Sequence, residues 1–334
     1  MAMMVETTTV GKLEERKARL APIIKKALKN GRMISTVGMP TEDWLVARAM
    51  LGIGASDVST ALGINDYKSP YELWKEKLAE EVEAKDNDIM MFGRVIEEPI
   101  AQIYMKMTGR EVIEDMNIRI HPEHDCLFAN LDRIIIDNGD GKGAGVLECK
   151  STISSVYKSW LDEFTGTQSI PINYYCQVQA ELSVTGFKWA VLAVLITDRR
   201  QVKIIPIERD EEYIQRQNQV LVAWYNGYVK EVVPPERKAA DYSFVDPIAG
   251  TTKEADEEIL AVIDELKEKQ GTEKTLKEEI DLLKDKVKEF AGDDEAITKN
   301  GEILATYKTI SKKEYVVKAK TYRELRFKTK KGEL

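Results

Sequence analysis

The chain has 334 residues, 43% hydrophobic and 32% charged, with a formal net charge of −8, the balance of an ordinary folded protein with one good-sized core and room for a second unit. No apolar run reaches bilayer length, the first residues lack the basic-then-apolar order of a secretory signal, and three cysteines are too few for a disulfide framework, so a reducing cytoplasm is expected. Neither residues 1–240 nor residues 241–334 are basic overall, which excludes binding to nucleic acid by bulk attraction; charge is screened within about 10 Å, so any such contact must rest on individually placed residues.

In chain order, residues 1–40 contain a charged amphipathic stretch from Leu13 to Leu28, read as an accessory helical segment. Thr41 is placed to cap a helix running to Met50. The turn Gly52-Ile53-Gly54-Ala55-Ser56-Asp57 then leads, with Ser56 or Asp57 as cap, into a short helix ending at Leu62. Ser69 caps, and Pro70 opens, the next helix to Leu78. Between Met90 and Met107, Phe92, Ile96, Ile100, Ile103 and Met107 recur at helical spacing, with Glu97 among them, and Thr108-Gly109 ends the run.

Strands are predicted over residues 111–120, 127–136 and 146–151, helices over 153–164 and 171–184, strands over 189–196 and 202–207, and a closing helix over 210–230. This order predicts an α/β (α+β) domain over residues 41–235, a mixed central β-sheet flanked by helices. Val233-Pro234-Pro235 breaks the pattern, and residues 236–252 read as a linker. Beyond it, Leu276, Ile280, Leu283, Val287 and Phe290 follow the alternating four- and three-residue steps of a coiled-coil seam. Ile259, Ile263 and Leu266 do so out of phase across Gly271, which predicts a helical hairpin or a stutter. The tail, at residues 303–308, 315–318 and 322–326, is predicted as short basic strands. Residues 253–334 thus read as an oligomer- or partner-docking appendix, with single-strand contact and a plain solvated extension as the other readings.

The chemistry concentrates where Ala129-Asn130-Leu131-Asp132-Arg133 is followed, across a Gly/Asp-rich turn, by Val146-Leu147-Glu148-Cys149-Lys150. This reads as a β-hairpin in which strand alternation sends Glu148 and Lys150 to one face and Cys149 to the other. Asp132, Glu148 and Lys150 can then meet at one end of the hairpin. Carboxylate oxygens suit Mg²⁺ or Mn²⁺, which lower the pKa of a bound water and neutralise phosphodiester charge, and a neighbouring ammonium can position that water or stabilise developing charge.

Asp, a hairpin, then Glu-x-Lys resembles the signature of the PD-(D/E)xK nuclease superfamily, with Leu131 where Pro usually precedes the Asp. The flanking motifs resemble its YqaJ-type viral recombinase branch, related to the phage lambda exonuclease. They are Trp44-Leu45-Val46-Ala47-Arg48 with Gly52 to Asp57, Ser69-Pro70-Tyr71-Glu72-Leu73-Trp74, Phe92-Gly93-Arg94-Val95-Ile96-Glu97, and Tyr175-Cys176-Gln177-Val178-Gln179. The resemblance implies a restriction-endonuclease-like core. It assigns Glu97 as a helix-borne acid of the metal site beside Asp132, Glu148 and the backbone carbonyl of Cys149. Gln177 is placed near the active centre, and Arg48 and Ser56 on the 5′ phosphate of DNA.

It further implies a Mg²⁺-dependent exonuclease, with Mn²⁺ able to substitute, that digests one strand of linear double-stranded DNA from its 5′ end. The enzyme would be phage or prophage encoded and would act as a homo-oligomeric ring, often a trimer, alongside a single-strand annealing protein. Two other readings stand beside it: an endonuclease on the same core, and a non-catalytic DNA-binding module. Taken singly, Arg48 would pair with Glu42 or Asp43, Glu97 would be a surface acid and Gln177 a polar helix residue. His121, His124 and Cys126 lack a fourth zinc ligand, and three cysteines cannot supply the four that hold an iron–sulfur cluster.

Overall fold

The apolar run at residues 189–196 has no polar face, and it forms an interior strand covered on both sides. The structure, a computed structural model, describes residues 2–78, 88–161, 169–238, 241 and 252–309, without the side chains of residues 2–10, 89 and 90. It divides into two units, Met1–Tyr242 and Ser243–Leu334. The first contains α1 (Ala2–Lys29), β1 (Met33–Ser35), α2 (Thr41–Leu51), β2 (Ile53–Gly54), α3 (Val58–Ala61), α4 (Pro70–Lys77), α5 (Asp88–Thr108), β3 (Val112–Glu114), β4 (Asn117–Ile120) and β5 (Leu127–Ala129). It continues with β6 (Arg133–Ile135), β7 (Gly145–Thr152), α6 (Ser154–Lys158), α7 (Ile172–Thr185), β8 (Trp189–Ile196), β9 (Gln201–Glu208) and α8 (Glu211–Trp224), which runs on as a π-helical turn (Tyr225–Lys230). No described helix is long and apolar enough to cross a membrane.

Five strands lie in the order β3-β6-β7-β8-β9, with β7 and β8 parallel and the other pairs antiparallel. A second sheet, β1-β4-β5-β2, pairs β2 parallel to β5. This is the mixed sheet flanked by helices expected from the order of elements. Two predicted strands are each split between the sheets. The run at 111–120 breaks into β3 and β4 where buried Asp115 accepts from Arg119 Nε (2.5 Å) and Asn117 Nδ2 (2.8 Å). The run at 127–136 breaks into β5 and β6, with Asn130 Nδ2 donating to the Asn117 carbonyl (3.1 Å) at the crossing. Short polar side chains that bond locally compete with a continuous ladder.

One face of the five-stranded sheet packs Val146, Leu192 and Val194 against Cys176 and Val178 of α7 and Ile214 and Leu221 of α8. The other packs Leu147, Cys149, Val191 and Ala193 against Ile100, Ala101 and Tyr104 of α5. A third cluster joins Leu20, Ile24 and Ala27 of α1 to Val46 and Leu51 of α2 and to Ile118 and Phe128, so residues 1–40 contribute directly to a core.

Several local expectations change. Pro40, not Thr41, precedes α2 as its cap, without a side-chain bond. Ser69 caps α4 in a reciprocal capping box with Glu72, as expected. Asp57, not Ser56, takes the cap position of α3, but without a side-chain cap bond; its carboxylate reaches back to accept the Gly54 N–H (3.0 Å) instead. On α5 the buried face is rotated part-way from the predicted stripe: Ile96 and Ile100 pack inward as expected, with Ala101 and Tyr104 beside them, whereas Phe92, Ile103 and Met107 are exposed. That rotation carries Glu97 toward the sheet. Helix α6 is short, and residues 162–164 of the predicted helix lie outside the described residues. Asp241, within the predicted linker, is buried and bonded to Ser69.

The second unit contains α9 (Glu257–Ala291) and a hairpin of β10 (Ala296–Lys299) and β11 (Glu302–Thr306). Helix α9 passes through Gly271 unbroken, so the predicted helical hairpin does not form and the phase shift is a stutter within one helix. Ile280, Leu283 and Val287 line a groove of about 360 Å³ with Ile297, Ala305 and Tyr307 of the hairpin. The predicted strands at 315–318 and 322–326 lie outside the described residues.

Gly52 joins α2 to β2 at a φ of 130°, and a Cβ there would stand 2.4 Å from the Cys126 carbonyl oxygen that accepts the Ile53 N–H. Gly52→Ala is therefore expected to lower unfolding stability by about 2–4 kcal/mol, combining backbone strain and overpacking, as read by urea denaturation.

Candidate active site

Strands β6 and β7 pair as Arg133↔Leu147, Ile134↔Val146 and Ile135↔Gly145. One step further in the same register brings Asp132 alongside Glu148, and the Cys149 N–H donates to Asp132 Oδ2 at 2.8 Å. Leu147 and Cys149 enter the cluster under α5, while Val146 faces the core on the α7 side. Alternation gives Glu148 and Lys150 the side taken by Val146.

Glu148 is almost wholly buried. Its Oε1 accepts from Lys150 Nζ and from Gln177 Nε2 (2.6 Å), and its Oε2 has no hydrogen-bond partner among the described residues. Gln177 Nε2 also donates to Glu181 Oε1 (3.0 Å), one helical turn along α7. Burial and the charge of Glu148 push the carboxyls of Asp132 and Glu181 well above the usual carboxylate range, and the same two causes raise half-buried Glu97. Burial pulls Lys150 the other way, but Glu148 and Asp132 outweigh it and hold the ammonium above the ordinary lysine value.

Four acids thus surround one lysine. Their mutual repulsion, their hard oxygen donors and the unpartnered Glu148 Oε2 fit a hard divalent cation. Among the described residues no three acidic, histidine or cysteine side chains stand at metal-ligating separations; Lys150 and Gln177 hold Glu148 Oε1 instead. Cys149 sits in the β7–β8 ladder opposite Ala193, and burial, then the charges of Asp132 and Glu148, push its thiol up, which disfavours the thiolate.

A second cluster lies on the other side of the β5–β6 crossing. Arg48 donates to Asn130 Oδ1 (3.0 Å) and Ser56 Oγ (2.8 Å), stands 3.8 Å from Asp57 and lies over the Trp44 ring. It does not pair with Glu42 or Asp43; Asp43 is taken by Arg16 and Arg19 of α1. Asp57 in turn accepts from buried Lys77 (2.6 Å). Burial would raise the Asp57 carboxyl, but Lys77 and Arg48 together hold it well below the usual range.

Residues 43–188 match the model of the YqaJ-like viral recombinase domain. That match spans a little under half of the chain. Over 194 residues it is 36% identical to a Bacillus subtilis (strain 168) protein named Uncharacterized protein YqaJ, a match covering 57% of each chain; the chain thus spans a little over half the length of this relative. Among solved structures, an alkaline exonuclease from Laribacter hongkongensis is 24% identical at a TM-score of 0.47, the match covering 58% of this chain and 94% of that one. A phage related exonuclease from Haemophilus somnus 129PT is 12% identical at a TM-score of 0.37, covering 55% and 97%.

Within the matched segment, the structure brings Asp132, Glu148, Lys150, Glu97 and Gln177 into one electrostatic neighbourhood and joins Arg48 to Ser56. Sequence reasoning missed Glu181, for which the signal was its position one helical turn after Gln177. It also missed Asn130, which ties Arg48 to the crossing that carries Asp132.

His121 is a structural residue of the same segment. Its Nδ1 accepts the N–H groups of Glu123 (3.0 Å) and His124 (3.1 Å), which leaves the ring proton on Nε2, 3.1 Å from Ser183 Oγ. Both nitrogens are therefore engaged inside the protein and neither is free to ligate. Burial, then His124, lowers its pKa to about 4. The unfolded chain takes up this proton near pH 6.5 and the folded one near 4, so the stabilisation is present above about pH 6.5 and is lost as pH falls toward 4. Unfolding free energy, read by urea denaturation, is expected to fall across that window by up to about 3 kcal/mol, with a flatter profile in His121→Asn. Lys77→Met, which leaves Asp57 buried without its nearest cation, is expected to cost about 3–5 kcal/mol, partly recovered by adding Asp57→Asn.

Proposed function

We propose that this chain is a divalent-metal-dependent DNA exonuclease that removes one strand of linear duplex DNA from its 5′ end. The observation that carries the reading is the pairing of Asp132 with Glu148 at the mouth of one hairpin, with Lys150 on Glu148. Asp132, Glu148, Glu97 and the Cys149 carbonyl would hold Mg²⁺, with Mn²⁺ as a substitute. When bound, such an ion supplies an activated water and neutralises charge on the scissile phosphate.

The chain's own residues do the rest. Lys150, kept protonated by Glu148 and Asp132, presents a fixed positive charge where negative charge develops on the phosphate oxygens. Gln177 orients the Glu148 carboxylate through Nε2. Arg48 offers a guanidinium already aimed by Asn130 and Ser56, a geometry suited to a terminal phosphate. The match to a viral recombinase domain supports a role in phage-type recombination in the host cytoplasm, with a single-strand annealing protein as partner and a homo-oligomeric ring, such as a trimer, as the working form.

Linear duplexes labelled at either end, with and without a 5′ phosphate, test this beside a supercoiled plasmid. Mg²⁺-dependent loss of the 5′ label with 5′-phosphate preference and an intact plasmid is expected. Cutting of the plasmid would instead identify an endonuclease. Asp132→Asn and Lys150→Ala are each expected to slow degradation at least about a hundredfold while retaining the fold. Unchanged degradation by Lys150→Ala would place the catalytic centre elsewhere.

A further inference from the structure

Glu181 is wholly buried in α7, yet it belongs neither to the hairpin nor to any motif that marks the site in the sequence. A buried acid needs a reason, because an unpaired carboxylate in an apolar interior is costly. Its Oε1 accepts from Gln177 Nε2 at 3.0 Å, and the same nitrogen donates to Glu148 Oε1 at 2.6 Å. Its Oε2 has no partner among the described residues.

A side-chain amide has two N–H groups on one nitrogen, and here two carboxylates receive them. That fixes which way the amide faces, since turning it would set its oxygen against both acids. We infer that Glu181 is a positioning residue: it anchors the second N–H of Gln177 so that the first is delivered to Glu148. Without that anchor the Gln177 side chain regains its rotamers, and the carboxylate of Glu148 loses a donor that fixes its plane. The other buried polar residues of α7 are engaged elsewhere. Gln179 bonds the Glu208 carbonyl and the Asp210 N–H, and Ser183 bonds His121 and Asn218. Gln177 is the α7 residue that donates to Glu148 of the hairpin, and Glu181 is bonded to that same Gln177 nitrogen.

The inference rests on the nuclease reading only for its consequence in catalysis, so the test has two arms on the full chain. In the first, the side-chain amide protons of Gln177 are followed by NMR, assigned by their loss in Gln177→Met. Both protons are expected to exchange slowly in the parent and in Glu181→Gln, which keeps an acceptor of the same shape. In Glu181→Met, of similar volume, one of them is expected to exchange about tenfold faster, the worth of one hydrogen bond. In the second arm, Mg²⁺-dependent DNA degradation is expected to lose about tenfold in kcat with KM for DNA unchanged in Glu181→Met. Glu181→Gln is expected to restore most of the loss, and Glu181→Met to have no further effect in a Gln177→Met background.

Unchanged protection of both protons in Glu181→Met would overturn the inference, as would losses that multiply in the double variant. A parent chain that does not degrade DNA would sink the nuclease reading alone, with the NMR arm still deciding the role of Glu181.

Discussion

The structure depends on one crossing. Between Ala129 and Arg133 the chain leaves the four-stranded sheet and enters the five-stranded one, and the residues of that step serve both candidate sites. Asn130 accepts from Arg48 on one side and donates to the Asn117 carbonyl on the other. Two residues later Asp132, one step beyond the Arg133↔Leu147 pair, accepts from the Cys149 N–H. A continuous strand would have placed these side chains by alternation within a single sheet. The break instead fixes the Arg48 cluster and the carboxylate cluster at opposite ends of a three-residue step, a separation the backbone cannot change without undoing both ladders.

Charge in the neighbourhood of Lys150 follows from burial more than from net composition. Asp132, Glu148, Glu97 and Glu181 share a space with one ammonium, so burial and mutual repulsion raise the carboxyls whose ionisation is shifted, and the lysine is held charged. An overall charge of −8 says little about such a place, because distant surface charges are screened whereas these are not. The same logic governs the Arg48 side, where Asp57 stays ionised beneath Lys77 and Arg48 and leaves Arg48 aimed by neutral partners, Asn130 and Ser56. One cluster gathers carboxyls around a single ammonium, and the other holds a guanidinium between neutral groups.

Much of this was legible from residue order. The 189–196 and 202–207 runs became β8 and β9 almost residue for residue, since an all-apolar run and an alternating one leave little choice of partner surface. The hairpin before Glu148 formed as the Gly/Asp turn indicated. What failed did so for identifiable reasons. Strands over 111–120 and 127–136 look continuous because periodicity records the face of a strand and not the sheet it joins; Asp115 and Asn130 carry the break in hydrogen bonds that no hydropathy pattern contains. The stripe on α5 misled because the helix turns Glu97 inward and leaves Phe92 and Met107 in solvent, a local rule broken where a polar group is wanted inside. Glu181 escaped notice because a charged residue in a helix is by default a surface residue, and only its contact with Gln177 says otherwise.

The matched segment ends at residue 188, yet the hairpin acids depend on elements later in the chain. β7 gains its second neighbour only from β8, which pairs with it from Val146↔Ala190 to Thr152↔Ile196 and so holds the backbone of Glu148 and Lys150 straight. Helix α7, which carries Gln177 and Glu181, is fastened at the β9–α8 corner: Gln179 bridges the Glu208 carbonyl and the Asp210 N–H, Arg209 donates to the Leu182 carbonyl, and Gln217 reaches the Cys176 carbonyl. Before the matched segment, α1 supplies Leu20, Ile24 and Ala27 to the cluster that seats α2 and hence Arg48. The cooperative unit is therefore wider than the stretch by which its sequence is recognised. Conserving the motif residues alone would preserve the chemistry's atoms without the sheet neighbour and helix fastenings that bring them together.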